Sequence, residues 1–247
     1  MTSPEPPAAP PLLEVRGLVK RFGGFRALDG VSFTLRAGEI LGLVGPNGSG
    51  KTTTLNVISG LYAPEAGEVR FAGRPLRGLS PRARVHRGIN RTFQSPRPFA
   101  SLSVRENVRL AARFGGRDAA PERIEALLER LGLARWAARP AAELNTGQQK
   151  RLDLARALAT RPRLLLVDEI AAGLNPAELE SMAELLAALA AGGTALLVVE
   201  HLLGFLGRLT ERVIVMNAGR EIFEGRLAEA SRDAEVVRVF LGEAARR

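Results

Sequence analysis

Apolar positions along the chain follow two different patterns. Four runs are almost continuously apolar: Ile40–Val44, Leu164–Val167, Ala195–Val199 and Val213–Met216. Such runs mark strands covered on both faces of a sheet. Between the second and third, Leu179, Met182, Leu185, Leu186 and Leu189 fall on one side of a helix, which predicts a βαβ unit with parallel strands. The start of the chain reads differently. Leu13–Arg16, Val31–Leu35 and Glu68–Gly73 are short β-branched and aromatic runs bounded by glycine, and they predict an antiparallel layer beside the parallel core. The turn Arg21–Phe25 joins the first two and carries two rings. Residues 74–100, rich in Arg, Gly and Pro, predict irregular chain. Residues 101–160 predict mostly helix, with Ile124, Leu127, Leu128 and Leu131 at i, i+3, i+4 and i+7. A helical insertion therefore interrupts an α/β core.

The first apolar run leads into Gly45-Pro46-Asn47-Gly48-Ser49-Gly50-Lys51-Thr52, which fits the phosphate-loop pattern G-x-x-x-x-G-K-[ST] at every specified position. Thr53–Ile58 follows as a helix. Glycines let the backbone curl so that successive N–H groups face inward as an anion nest, and the start of the helix adds its positive dipole end. Lys51 supplies a mobile charge for the outer phosphates, and the Thr52 hydroxyl suits Mg²⁺. Strand, loop and helix in register point to a bound nucleoside triphosphate.

Other polar candidates lie at the carboxyl ends of the apolar strands, where ligands bind in such sheets. Asp168 is placed to hold Mg²⁺, and Glu169 to orient or deprotonate an attacking water. His201 follows its strand as Asp168 follows its own, and could bond the γ-phosphate. Thr146-x-x-Gln149 has the form of a capping box, and Asn145 could itself cap the helix carrying Leu152, Leu154, Ala155 and Leu158. That helix start is a second anion site. Two readings stand for Phe22: stacking on a purine, or filling the edge of the antiparallel layer.

Composition narrows the picture only slightly. The 247 residues suffice for one large domain with an insertion, and the absence of cysteine excludes disulfides and thiol chemistry. The net charge of +9 is spread along the chain, with Lys only at 20, 51 and 150, so it predicts a solvated arginine-rich surface and no nucleic-acid partner. The Pro-rich opening, residues 1–11, lacks the basic start and apolar core of a signal peptide and predicts a disordered tail. No apolar run approaches the ~20 residues of a membrane span. A cytoplasmic location follows by default.

The phosphate loop, Gln94, Leu144-Asn145-Thr146-Gly147-Gln148-Gln149, the run ending in Asp168-Glu169, Ala172-Gly173-Leu174-Asn175-Pro176 and Glu200-His201 occur in an order that resembles ATP-binding subunits of ABC transporters. The resemblance covers roughly residues 12–242 and is strongest to the branched-chain amino-acid uptake subfamily, through Gly88–Gln94 and Val239–Gly242. It implies an α/β P-loop NTPase (RecA-like) core with an N-terminal antiparallel β layer and a helical subdomain at about 98–160, flanked by tails at 1–11 and 243–247. It also implies ATP and Mg²⁺ as ligands. By that resemblance Phe22 stacks on adenine, and residues 45–53, including Thr53, hold the phosphates. Thr52, Gln94 and Asp168 serve Mg²⁺. Glu169 is the base, His201 the switch histidine, and Asn145, Thr146, Gly147 and Gln148 read the γ-phosphate of ATP held by a partner subunit.

Partners implied are a second ATP-binding subunit, identical or related, two transmembrane permeases docked on the helical insert and the loop from Gln94 to Phe99, and, indirectly, an external solute-binding protein. The chain would then lie on the inner face of the membrane. Two departures stand out. Asn145 and Thr146 replace the Ser and first Gly of the usual L-S-G-G-Q, and Asn175 replaces the usual Asp. Competing functions are an ABC ATPase for another solute (urea, an amide, another amino acid) and a soluble ABC ATPase acting on nucleic acid or ribosomes. The latter usually carries two phosphate loops or a long coiled-coil insert, and neither is present.

Overall fold

A computed structural model describes residues 10–116 and 118–244. The proposed tails lie largely outside them: residues 1–9 and 245–247 are not described, and the chain to Ala244 is helical. In chain order the elements are β1 (Leu13–Phe22), β2 (Phe25–Leu35), β3 (Ile40–Val44), α1 (Lys51–Ser59), β4 (Ala66–Phe71), β5 (Arg74–Pro75), α2 (Pro81–His86), β6 (Ile89–Arg91), α3 (Val104–Ala111) with a π turn at Ala112–Gly116, α4 (Pro121–Arg130), α5 (Thr146–Leu158), β7 (Leu164–Asp168), α6 (Pro176–Ala191), β8 (Ala195–Val199), α7 (Leu203–Leu209), β9 (Arg212–Asn217), β10 (Arg220–Arg226), α8 (Leu227–Ala230) and α9 (Ala234–Ala244).

Two sheets form, a four-stranded one in the order β2-β1-β4-β5 and a six-stranded one in the order β10-β9-β3-β8-β7-β6. The first is antiparallel, and β9, β3, β8, β7 and β6 run parallel in the second. The expected α/β core, antiparallel layer and helical insertion, here α3 to α5 between β6 and β7, are all present.

The continuous apolar runs have a simple physical cause. Along each central strand alternate side chains enter two separate cores. Ile40 and Val44 of β3, Leu165 and Val167 of β7, Leu196 and Val198 of β8, and Val213 and Val215 of β9 face the helices of the insertion and α6. Leu41 and Leu43, Leu164 and Leu166, Leu197 and Val199, and Ile214 and Met216 face α1 and the antiparallel layer. With both faces buried, no polar alternation survives. Gly42 has a packing cause of its own: a Cβ there would lie 2.7 Å from Leu206 Cδ2 and hold α7 off the sheet.

Several expectations need correction. The first two strands are longer than their apolar runs, and the turn contracts to Gly23-Gly24, so Phe22 and Phe25 end paired strands rather than ride in a loop. Residues 74–100 are not wholly irregular. Ser80 caps α2, accepting from Ala83 N, with Pro81 at the first helical position. The three-residue β6 joins the parallel sheet beside β7 and is too short for periodicity to reveal. The capping box of α5 is formed by Asn145 and Gln148, with Thr146 already inside the helix, because a cap bonds the residue three positions on. The C-terminal hairpin partner β10 and helices α8 and α9 are additional to the expected strands and helices.

Helix α2 serves α1. Arg84, 5% exposed, donates from Nη1 to Val57 O and Ile58 O at 2.7 and 2.8 Å, from Nη2 to Leu76 O at 3.1 Å, and from Nε to Leu79 O at 3.2 Å. It thereby satisfies carbonyls at the end of the phosphate-loop helix with a cation, the charge the helix dipole favours there. Hydrogen bonds to a charged group contribute ~1.5–3 kcal/mol each when buried. Arg84→Met is expected to lower the unfolding free energy by about 3 kcal/mol, read as a lower urea midpoint at unchanged m. A midpoint within error of the parent would show that these carbonyls find other partners.

Candidate functional site

The phosphate loop leaves β3 and enters α1 with its expected curl. Gly45, Gly48 and Gly50 have φ of +146°, +77° and +108°. Two of these glycines are also required by close contacts: a Cβ on Gly45 would sit 2.2 Å from Met216 O, and one on Gly50 2.7 Å from Ala27 O. The loop is tied to the neighbouring hairpin through Gly219, whose N–H donates to Ser49 O and whose carbonyl accepts from Asp29 N. Lys51 curls back over the loop, its Nζ donating to Gly45 O and Pro46 O, each at 2.8 Å. Gly50 caps α1 without a side-chain bond, Asn47, Gly48 and Thr52 are exposed, and Thr53 is half-buried.

Beside this loop the structure brings three sequence-predicted residues together. Gln94 Nε2 donates to Glu169 Oε2 at 2.5 Å, and His201 Nε2 donates to Glu169 Oε1 at 2.5 Å. Glu169 follows β7 with φ +48°, a left-handed backbone that costs an L-residue on the order of 1–2 kcal/mol. Asp168 is 3% exposed. Burial pushes its carboxyl up, while Arg91 and, more weakly, Lys51 pull it back.

Other predicted residues are placed apart from this trio. Phe22, at the end of β1, is 44% exposed. It meets Tyr62 edge-on with centroids 5.1 Å apart, and Lys20 Nζ lies 5.3 Å from its ring centre. At the start of α5, Asn145 Oδ1 accepts from Gln148 N and Gln148 Oε1 accepts from Asn145 N. Gly147 is fixed by its surroundings, since a Cβ would lie 2.5 Å from Glu178 Oε1, itself part of the Asn175 capping box of α6. Thr146, in the first turn of α5, is exposed, with its methyl near Gly173.

Three residues of the site carry no role in the sequence reading. Arg91 donates to Asp168 Oδ2 at 3.0 Å, to Asn56 Oδ1 on α1 and to Thr92 O, and stacks over Phe93 at 4.6 Å. It thus joins β6, β7 and the phosphate-loop helix. Lys150, on α5, donates to Glu169 O and Ile170 O. Glu200 Oε1 accepts from Ala171 N, and burial pushes its carboxyl up to about 7, against the pull of that bond and of Lys150. Burial pulls Lys150 down. One signal for Lys150 was available: in an arginine-rich chain, lysine occurs only at 20, 51 and 150.

The ABC transporter family profile matches residues 28–172, and the chain is 38% identical over 252 residues to the high-affinity branched-chain amino acid transport ATP-binding protein LivG of Salmonella typhimurium, covering 95% of this chain and 99% of that one. The chain belongs to the ABC transporter family. This ABC cassette is also 34% identical to the corresponding protein BraF of Pseudomonas aeruginosa, with 95% and 99% covered. A crystal structure of a nucleotide-free ATP-binding cassette from an ABC transporter superposes with a TM-score of 0.86 at 32% identity, covering 94% of this chain and 99% of that one. As an ABC cassette the chain is an ATPase and a subunit of a transporter. Among the described residues no helix is long and apolar enough to cross a membrane.

Two outcomes are expected. Lys51→Ala should weaken ATP binding by at least ~100-fold, about 2.7 kcal/mol, in isothermal titration; unchanged affinity would remove the loop's assigned role. Glu200 predicts a pH effect. Its folded value of about 7 exceeds the ordinary 4.5, so the native state holds the extra proton and stability falls as pH rises from about 4.5 to about 7. Relative to Glu200→Gln, the parent should lose roughly 3 kcal/mol across that window in urea melts. A constant difference between the two proteins would contradict the assignment.

Proposed function

We propose that this cassette is the ATP-hydrolysing subunit that powers an importer of branched-chain amino acids. The observation that carries hydrolysis is the Glu169 carboxylate held between Gln94 and His201 at the end of β7, beside the phosphate loop. The observation that supports the cargo is the end-to-end likeness to LivG and BraF, both named as branched-chain amino acid transport proteins.

In this reading ATP lies on residues 45–53, with adenine against Phe22 and the outer phosphates on the loop N–H groups and Lys51. A second ATP-binding subunit, identical or related, faces the first head to tail, so that its Asn145–Gln148 segment closes over the γ-phosphate. Asn145 contributes through its Nδ2 amide, since Oδ1 caps the helix. The available donors fit Mg²⁺: the Thr52 hydroxyl, the Asp168 carboxylate and the Gln94 Oε1 are all hard oxygens, and Gln94 Nε2 already points at Glu169. Held by these residues, Mg²⁺ would supply positive charge against that of the phosphates. Glu169 orients the attacking water and accepts its proton, while His201 holds the Glu169 carboxylate and the γ-phosphate side of the site. Loss of the γ-phosphate removes the charge that joins the two subunits and lets them part. The helical insertion and the loop from Gln94 to Phe99 pass this motion to two transmembrane permeases, which hold the cassette on the inner face of the membrane. An external solute-binding protein delivers the cargo.

Glu169→Gln is expected to retain ATP binding and slow hydrolysis at least ~100-fold, about 2.7 kcal/mol of barrier. Normal turnover would rule Glu169 out as the base. In cells carrying the whole transporter the same substitution should abolish uptake of labelled leucine. Undiminished leucine uptake with loss of urea or amide uptake would move the cargo to those solutes.

A further inference from the structure

Glu169 keeps its left-handed backbone, φ +48°, only because neighbouring groups fix it there. Four hydrogen bonds do so, and they act on three consecutive residues. Glu169 N donates to Val199 O at 2.9 Å. Lys150 Nζ donates to Glu169 O at 2.8 Å and to Ile170 O at 3.0 Å, so one ammonium spans both carbonyls. Ala171 N donates to Glu200 Oε1 at 2.8 Å. Lys150 is 5% exposed and Glu200 2% exposed, so none of these bonds is exchanged cheaply for water.

The two side chains come from informative places. Lys150 sits one helical turn after Thr146 on α5, the helix whose start is assigned to the partner's ATP. Glu200 immediately precedes His201, which holds the Glu169 carboxylate. One segment therefore holds the Glu169 N–H through Val199 O, the Ala171 N–H through Glu200 and the Glu169 carboxylate through His201, with α5 as the other support.

We propose that Lys150 and Glu200 are positioning residues for hydrolysis. They hold the 169–171 backbone in the turn that aims the Glu169 carboxylate, and they make that aim depend on the position of α5. A displacement of α5 on docking against a second subunit's nucleotide then reaches the hydrolytic centre of its own subunit through the Lys150 ammonium. The inference rests on Glu169 being the base.

The test is steady-state ATPase kinetics with equilibrium ATP binding on the full chain, with Glu169→Gln as reference. Lys150→Met should lower kcat at least ~30-fold while KM and the Kd for ATP stay within about threefold, the split expected when only the transition-state geometry is lost. Glu200→Ala should lower kcat at least ~10-fold, and Glu200→Gln, whose amide oxygen still accepts from Ala171 N, at least about fivefold less than that. The double variant Lys150→Met with Glu200→Gln leaves no unpaired buried charge and carries the test if the single variant fails to fold. Its kcat should likewise fall at least ~30-fold below the parent. Recovery of parental kcat in the double variant would show that Lys150 only neutralises Glu200 and would overturn the proposal. So would a kcat of Lys150→Met within about threefold of the parent while Glu169→Gln is slow. Normal turnover by Glu169→Gln would overturn the assignment of the base itself.

Discussion

Burial of the parallel sheet on both faces is the constraint from which the rest follows. Strands β3, β7, β8 and β9 send alternate side chains into two cores, leaving no face on which polar chemistry could be placed. What remains is the strand ends, and ligands of such sheets bind at the carboxyl ends. The phosphate loop leaves β3, Asp168 and Glu169 end β7, and Glu200 and His201 follow β8. Because β7 lies beside β8 and β8 beside β3, these three ends are neighbours by hydrogen-bonded register. The composite site is a consequence of strand order.

Charges near the site divide by burial. Exposed pairs such as Arg123 with Asp118 or Arg105 with Glu125 contribute little, since water screens them and long side chains lose entropy in forming them. The buried cations behave differently. Arg84 closes the end of α1, Arg91 bridges α1 to Asp168, and Lys150 spans two carbonyls beside the proposed base. Truncating any of them leaves desolvated acceptors with no partner, a loss of several kcal/mol where a buried charge is orphaned. Each of these cations ties one strand end or helix end to another. The site is held together by buried donors more than by ion pairs.

Legibility in the sequence followed the range of the physical signal. The phosphate loop is local: glycine at left-handed positions and a following lysine are written in one short stretch, and the structure adds only that Met216 O and Ala27 O enforce the glycines. The parallel strands were legible because two-sided burial leaves continuous apolar runs. The strand β6 and helix α2 were not, because three residues show no period and the Ser80-Pro81 start of α2 lay in a stretch dominated by Arg, Gly and Pro. Contacts across the chain leave no local trace. Arg91 and Asp168 are 77 residues apart, and Lys150 reaches backbone carbonyls that any residue could offer. Glu169 and His201 were marked by their positions after strands and Gln94 only by the family resemblance, while their common hydrogen-bonded chain emerged only in three dimensions.

In the proposed function this strand-end site grips a triphosphate with the loop backbone and Lys51. A structure of the chain with Mg²⁺ and a non-hydrolysable ATP analogue tests it most directly. Lys51 Nζ is expected to leave Gly45 O and Pro46 O for an oxygen of the β- or γ-phosphate, with the phosphates cradled by the N–H groups of residues 47–52 and the adenine on Phe22. Nucleotide bound elsewhere, with Lys51 still on its two carbonyls, would contradict it.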